Sequence, residues 1–404
     1  MWLRMAWRNV WRNPRRTGIV VSAVAIGIGA CLFSMSLSFG VAQQMVTTAI
    51  ETQLGHLQIH AQGYEENRDL STRLEDGGKR ARAALSARSD IAAFASRVRG
   101  QGLLNSPRAS AGVRIVGIDP VAEAQVTSLA KSLVQGVWLD GQSPRVLIGE
   151  RLAKRLQVGI GKKLVLSVQD LAGELTGRAY RVGGIFHAPS SELNSSVVFV
   201  SLDQAQSLFG LGEAVTEIVV VAKEDDGLDR IQAELRAELA GVAEVRTWAE
   251  LQPLLKYMAG AVHQNAYVMY ATVFVAMAFG IANVLFMSVH ERAREIGVML
   301  AMGMKRWRIV ALVVAESLLL TLVGLFIGIA AALLGTLAFR DGIDFSAFAE
   351  GLAAFGANSR VAPVLRAEDL MVPIGVGSFA ALLASVWPAW RVASARPADS
   401  LRRL

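Results

Sequence analysis

One cysteine in 404 residues, Cys31, excludes an internal disulfide framework. Histidine is also scarce, with five in the chain. His56 and His60 would share one face of a strand, but nothing nearby supplies a third metal ligand. His290-Glu291 has no second histidine one helical turn on, which removes the zinc-protease pattern. Gly161-Lys162-Lys163 and Gly78-Lys79-Arg80 lack the upstream glycine and the following Ser or Thr of a phosphate-cradling loop, so this chain is not expected to hydrolyse ATP by itself. No Ser/His/Asp set or carboxylate pair stands out, and no catalytic residue is expected. Charge is sparse too, at 19% of residues, against 53% hydrophobic and a mean hydropathy of +0.39, which excludes an ordinary soluble protein.

What the chain has instead is long apolar runs. Residues 17–50 and 257–290 carry no Asp, Glu, Lys or Arg; 309–339 is interrupted only by Glu316; 370–390 is again uncharged. Each exceeds the roughly 20 residues that cross a hydrocarbon core, which predicts four spanning helices. The first two runs are longer than a bilayer needs, so their outer ends should project as a stalk. Cys31 follows Ile28-Gly29-Ala30, a faint likeness to a lipidation site, but the apolar run continues past it to Ile50 and cleavage there would cut a span.

The net charge of +7 resides at the ends and in one loop. Arg4, Arg8, Arg12, Arg15 and Arg16 precede the first run, Arg292, Arg294, Lys305, Arg306 and Arg308 lie between the second and third, and Arg391, Arg396, Arg402 and Arg403 follow the fourth. The large segment between the first two runs is nearly balanced. By the positive-inside rule both termini and the 290–308 loop are cytoplasmic and the large segment is outside. Basic residues that flank spans do not make a nucleic-acid surface, and no nucleic-acid partner is expected.

These boundaries give residues 1–16 as a cytoplasmic amphipathic interfacial helix, 17–50 as transmembrane helix 1 with its stalk, 51–256 as an extracytoplasmic α+β domain, and 257–289 as stalk and transmembrane helix 2. A cytoplasmic coupling helix or loop follows at 290–308, then transmembrane helix 3 at 309–339, a short outer loop at 340–369, transmembrane helix 4 at 370–390 and a cytoplasmic tail at 391–404. Within 51–256, strand-like runs are 56–60, 112–117, 163–169, 178–187, 196–200, 216–222 and 242–246. Helix-like runs are 81–99, 146–157, 203–209, 228–239 and a helix from Ala249 into the second span. Ser201 with Gln204 and Thr247 with Glu250 have capping-box spacing, and 77–78 and 100–107 read as loops. In the third span Gly324, Gly328, Ala332 and Gly335 form a small-residue stripe suited to close helix packing, within this chain or with another. Glu316 should face protein and pair, with an arginine of the N-terminal helix as the expected partner.

The loop HERAREIGVMLAMGMKRWR at 290–308 is more elaborate than a turn between spans requires. Glu291, Arg292, Arg294 and Glu295 offer charge-assisted contacts, and Ile296, Met299, Leu300 and Met302 could fill an apolar groove. With Gly297, Ala301 and Gly303, with Ile148-Gly149-Glu150-Arg151-Leu152-Ala153, with Tyr180–Phe186 and with Arg396–Arg402, in this order and topology, the chain resembles the FtsX/MacB/LolC-type ABC transporter permeases from end to end.

That resemblance implies a MacB-like periplasmic core domain between helices 1 and 2 of a bacterial inner-membrane protein. It further implies a permease dimer, with the same or a homologous chain, working with two ABC ATPase subunits that bind ATP and Mg, and no cofactor in this chain. The 290–308 loop would seat in the ATPase, and motion would pass to the outer domain by mechanotransmission. A permease of this length most resembles the LolC/LolE lipoprotein-releasing group, which implies membrane lipids and a periplasmic carrier or adaptor as further partners; the tip 170–177 is a candidate carrier hook. Phe33, Leu37, Phe39, Met269 and Phe274 are the expected lining of a cleft for acyl chains. The alternatives are an FtsX-like signalling permease that transports nothing and a MacB-like efflux component.

Overall fold

The computed structural model describes residues 12, 14–224, 227–354 and 356–393. The expected interfacial helix, apart from Arg12 and residues 14–16, and the tail motif at 396–402 lie outside the described residues. The chain forms two compact units, one from 1–42, 259–344 and 360–404, the other from 43–258 and 345–359.

The first unit is helical. Four helices are long and apolar enough to cross a membrane: Thr17–Leu54, Pro253–Ser288, Arg306–Ala338 and Ala367–Arg391. The small-residue stripe of the third span packs within this chain, against the first span. A Cβ placed on Gly324 would lie 2.7 Å from Val24, and one on Gly328 would lie 2.8 Å from the Ala25 carbonyl oxygen. Lipid tails are as apolar as leucine, so this close approach, not the hydrophobic effect, holds the spans together. Val24, Ile28, Leu32 and Met35 of the first span are buried with Phe274 and Ile281 of the second and Leu320 and Leu325 of the third. After the third span a two-residue ladder pairs Ile343–Asp344 with Arg360–Val361, and the chain returns beside the first span, where Val364 N–H donates to the Ser36 carbonyl at 2.8 Å. Gly40 permits this approach, since a Cβ there would sit 2.0 Å from the Ala362 oxygen.

The second unit is α+β. Its strands are β1 (Leu57–His60), β2 (Ile91–Asn105), β3 (Ser110–Ile118), β4 (Leu133–Gly136), β5 (Arg145–Gly149), β6 (Lys163–Gln169), β7 (Leu175–Phe186), β8 (Val197–Ser201), β9 (Glu217–Ala222) and β10 (Glu244–Thr247). They form one mixed sheet in the order β10-β1-β9-β2-β3-β8-β5-β7-β4, with β6 bridging β2 and β7. Helices Lys79–Ser86, Glu150–Leu156, Leu202–Phe209 and Leu228–Glu238 bury Leu85, Leu152, Phe209 and Leu235 against Val98, Ile115, Val146 and Val220 of the sheet. A smaller core of Val116, Leu147, Phe186 and Phe199 forms separately.

Four local expectations change. The run 81–99 is a helix only to Ser86; β2 begins at Ile91, because Phe94–Arg97 are required as the partner of β9. Residues 100–105 continue β2 and do not form a loop: Gly100 lies beneath the Phe209 ring, 2.2 Å from where its Cβ would be, so this glycine serves close packing. The run 146–157 is split into β5 and the helix Glu150–Leu156 at Gly149, which lies under the backbone of Asn194. Thr247 and Glu250 form their capping box, but Ser201 makes no capping bond and Gln204 donates instead to the Ser143 carbonyl at 2.8 Å.

The first long helix, Pro14–Ala49, ends in a π-turn, Ile50–Leu54, and then reverses at Gly55. Gly55 has φ +62° and stands where a Cβ would meet Val219 at 2.5 Å, so only glycine fits. His56 N–H then donates to Val220 O and β1 enters the sheet.

A row of ionisable residues crosses this sheet. Glu244, His60, Glu217 and Arg97 are successive cross-strand partners on β10, β1, β9 and β2. Arg97 is 2% exposed; its Nε and Nη2 donate to Glu123 at 2.9 and 2.6 Å and its Nη1 donates to Glu217 at 3.3 Å and to the Gln53 carbonyl at 2.6 Å. Burial pushes the Glu217 carboxyl up, but Arg99 and Arg97 outweigh it and hold the group below its usual range. Burial also holds the His60 imidazole below its ordinary value, against the pull of Glu217 and Glu65.

Two outcomes follow. Groups depressed in the folded state contribute stability above their unfolded pKa and lose it as pH falls. Unfolding of the chain in nanodiscs should therefore show an upper acid limb beginning below about pH 6.5, from His60, and a second below about pH 4.5, from Glu217 and Glu250; His60→Gln should abolish only the upper limb. Gly328→Val should separate the first and third spans at a cost of about 1–3 kcal/mol, read as a lower melting temperature in detergent.

Candidate functional site

The second long helix, Pro253–Glu291, breaks at Arg292, whose φ of −100° and ψ of 11° leave the helical region, and a nine-residue helix, Ala293–Ala301, follows. That short helix ends by a glycine stop. Gly303, at φ +86°, donates to the Leu300 carbonyl while Met304 donates to Met299, both at 3.0 Å, the paired bonds of a Schellman motif. The third span begins immediately after, at Arg306.

Charge orders the N-terminal end of this short helix. Arg292 Nε donates to Glu295 at 3.2 Å and its Nη1 to Glu316 of the third span, also at 3.2 Å. Arg12 forms a second ion pair with Glu295. Hydrogen bonds from Arg12 and then Arg292 hold the Glu295 carboxyl below its ordinary range. The four residues thus alternate in sign, Arg12, Glu295, Arg292, Glu316, from the start of the first long helix to the interior of the third span. Glu316, 6% exposed, is paired as expected, here by Arg292; Arg4 and Arg8 of the expected partner helix lie outside the described residues. The break at Arg292 makes this possible, because it turns a side chain at the end of one span toward the next.

The apolar residues divide by face. Ile296, 6% exposed, packs on Ile309 of the third span, with Met299, Leu300 and Met304 half-buried around them. Ile296 is therefore spent within the chain and does not offer the groove-filling surface expected of it; Gly297 is buried beside it. The outward residues are Val298, Met302 (74% exposed) and Trp307. Glu291, Arg294 and Gly303 are exposed as well, and among the described residues neither Glu291 nor Arg294 has an ion-pair partner. Among the described residues the surface open to another molecule thus includes the charges of Glu291, Arg294, Lys305 and Arg306 and the apolar side chains of Val298, Met302 and Trp307.

The five residues expected to line a cleft are not brought together as one. Phe39 and Phe274 are buried in the packing of the helical unit, Phe39 with its ring 4.7 Å from that of His263. Phe33 stands against Phe339 and beneath Gly335, while Leu37 and Met269 are half-buried. Phe39 and Phe274 fall on the inward stripes of their spans.

Within the α+β unit there is a feature that the sequence did not reveal: a cavity of about 590 Å³ lined by Met45, Leu251, Leu255, Met258, Ser190 and Glu192 among others. It lies between the end of the first long helix, the start of the second and the helix Ser191–Ser196, segments that are far apart in the chain. The tip 170–177 is a tight β6–β7 turn in which Asp170 accepts from Ala172 and Glu174 N–H, and Leu171 N–H is tied to Phe209 O at 3.0 Å; Leu175 projects into solvent.

Residues 17–238 match the MacB-like periplasmic core domain and residues 267–397 the FtsX-like permease C-terminal region. An uncharacterized ABC transporter permease of Methanocaldococcus jannaschii is 26% identical over 212 residues, covering 50% of this chain and 50% of that protein. The pyoverdine export ATP-binding/permease protein PvdT of Pseudomonas fluorescens is 24% identical, covering 82% and 51%. The chain thus spans about half the length of these two relatives. The lipoprotein-releasing system transmembrane protein LolC of Xylella fastidiosa is 19% identical, covering 97% and 96%. Among solved structures, the periplasmic region of MacB from Actinobacillus actinomycetemcomitans aligns with 15% identity and a TM-score of 0.38, covering 53% of this chain and 98% of that one.

The division of the short helix into faces has a measurable consequence. Ile296→Ala should loosen it from the third span by about 2–4 kcal/mol, seen as faster amide exchange across 293–301, whereas Met302→Ala should leave that exchange unchanged.

Proposed function

This chain belongs to the MacB/FtsX/LolC family of ABC transporter permeases, and on that premise we propose that it couples ATP hydrolysis by separate ATPase subunits to movement of its α+β unit, so that a lipoprotein or another amphiphile is released from the outer leaflet of a bacterial inner membrane. The chain itself is the non-enzymatic partner. Two permeases, copies or homologues, work with two ATPase subunits that hold ATP and Mg. Both termini and the 290–308 loop face the cytoplasm, and the α+β unit faces the periplasm, where a carrier or adaptor accepts the cargo.

The observation that carries this reading is the helix Ala293–Ala301, set at an abrupt break between two spans with Glu291, Arg294, Val298 and Met302 outward. Such a helix supplies both halves of a specific contact, charge for register and apolar side chains for burial. The helices on either side extend well beyond a bilayer's need: Pro253–Glu291 has 39 residues, about 58 Å at helical rise. A rod of that length carries displacement at one end to the other without a channel for substrate through the membrane. The cavity near Met45, Leu255 and Met258 supports an amphiphilic cargo, since its lining mixes apolar side chains with Ser190 and Glu192.

Two measurements test the proposal. Glu291→Ala with Arg294→Ala should abolish co-purification of the ATPase while the α+β unit stays folded by circular dichroism; unchanged association would refute the docking assignment. Reconstituted with its ATPase in vesicles holding a triacylated lipoprotein, the permease should release that lipoprotein to a soluble carrier only with ATP. ATP turnover stimulated by the permease with no lipoprotein released would favour signalling without transport.

A further inference from the structure

Arg292 bonds to two carboxylates that belong to different mechanical parts. Glu295 is on the short helix, and Glu316 is the single ionisable residue in the apolar run 309–339. We propose that the Arg292–Glu316 pair is the joint through which displacement of the short helix reaches the third span, with Arg292 as a positioning residue; this rests on the coupling role proposed above for Ala293–Ala301.

Three observations carry it. The pair is buried on the carboxylate side, so it is weakly screened and costly to break, whereas the Arg12–Glu295 pair is open to water and weak. Arg292 occupies the one non-helical residue between the second span and the short helix, so any reorientation of that helix turns at its own backbone. Beside the pair lies a void of about 20 Å³, lined by Ser288, Arg292, Ile296, Ile309, Leu312 and Glu316. That is room for about one water, enough for the guanidinium to shift without a clash. The Ile296–Ile309 contact alone would let the short helix slide over the third span, because apolar contacts have no direction; the Arg292 guanidinium, with one N–H on Glu295 and another on Glu316, fixes where it sits.

The test uses the full chain in nanodiscs with Cys31→Ala, and spin labels at Ala301→Cys and Leu322→Cys, both exposed positions outside the docking face. Without any ATPase, Glu316→Gln should widen the distance distribution between the labels about twofold relative to the parent, and the exchange Arg292→Glu with Glu316→Arg should narrow it again. A Glu316→Gln distribution as narrow as the parent's overturns the joint, and so does an exchange variant that folds with the parent's helicity and stays wide. In a second arm the ATPase is added with ATP and vanadate. Glu316→Gln should retain ATPase binding and lose the nucleotide-driven change in distance that the parent shows. Loss of ATPase binding in Glu316→Gln would overturn the joint by making Glu316 part of docking. Failure of the parent itself to bind the ATPase would refute the coupling reading, and the first arm would still decide the joint.

Discussion

The buried guanidinium of Arg97 is the constraint on which the α+β unit depends. It is almost wholly out of water, and a charge so placed is tolerable only if every donor finds an acceptor. Glu123 takes two of its N–H groups, Glu217 a third contact, and the remaining lone-pair partner is the Gln53 carbonyl. These acceptors come from the helix Pro120–Val126, from β9 and from the π-turn that ends the first long helix. One side chain therefore fixes where that helix stops and how the sheet begins. Ser128 N–H adds a second tie, to Glu51 O at 2.8 Å.

In the helical unit the same physics appears in a thinner form. Helices in lipid gain little from burying apolar surface against each other, so the first and third spans rely on glycine-permitted contact. The polar residues placed among them must pair. The alternating chain Arg12, Glu295, Arg292, Glu316 meets that need while tying the short helix to the third span that follows it and to Arg12, 283 positions from Glu295.

Much of this architecture was legible in the residues. The four spans follow from uncharged runs because a bilayer of fixed thickness accepts nothing shorter or more polar. The helix after the second span was visible as charge followed by an apolar stripe, and strands such as Lys163–Gln169 follow from alternation. The errors have a common origin. Residues 81–99 and 146–157 contain short apolar runs whose period fits helix or strand equally, and only the neighbouring strands β9 and β8 chose between them. Gly100 looked like a turn because nothing in the sequence announces the Phe209 ring above it.

The order of residues alone dictates which segments must leave water, which loops carry the charge, and that a carboxylate at Glu316 needs a partner. Those are properties of composition along a line, set by desolvation cost. Tertiary structure decided who pairs with whom: Arg292 for Glu316, the first span for Gly324 and Gly328, and Ile309 for Ile296. It also placed Arg97 against Gln53, 44 positions away. Pairing of this kind depends on the angles at Arg292 and Gly55 and on which strands lie side by side, and chain order fixes neither.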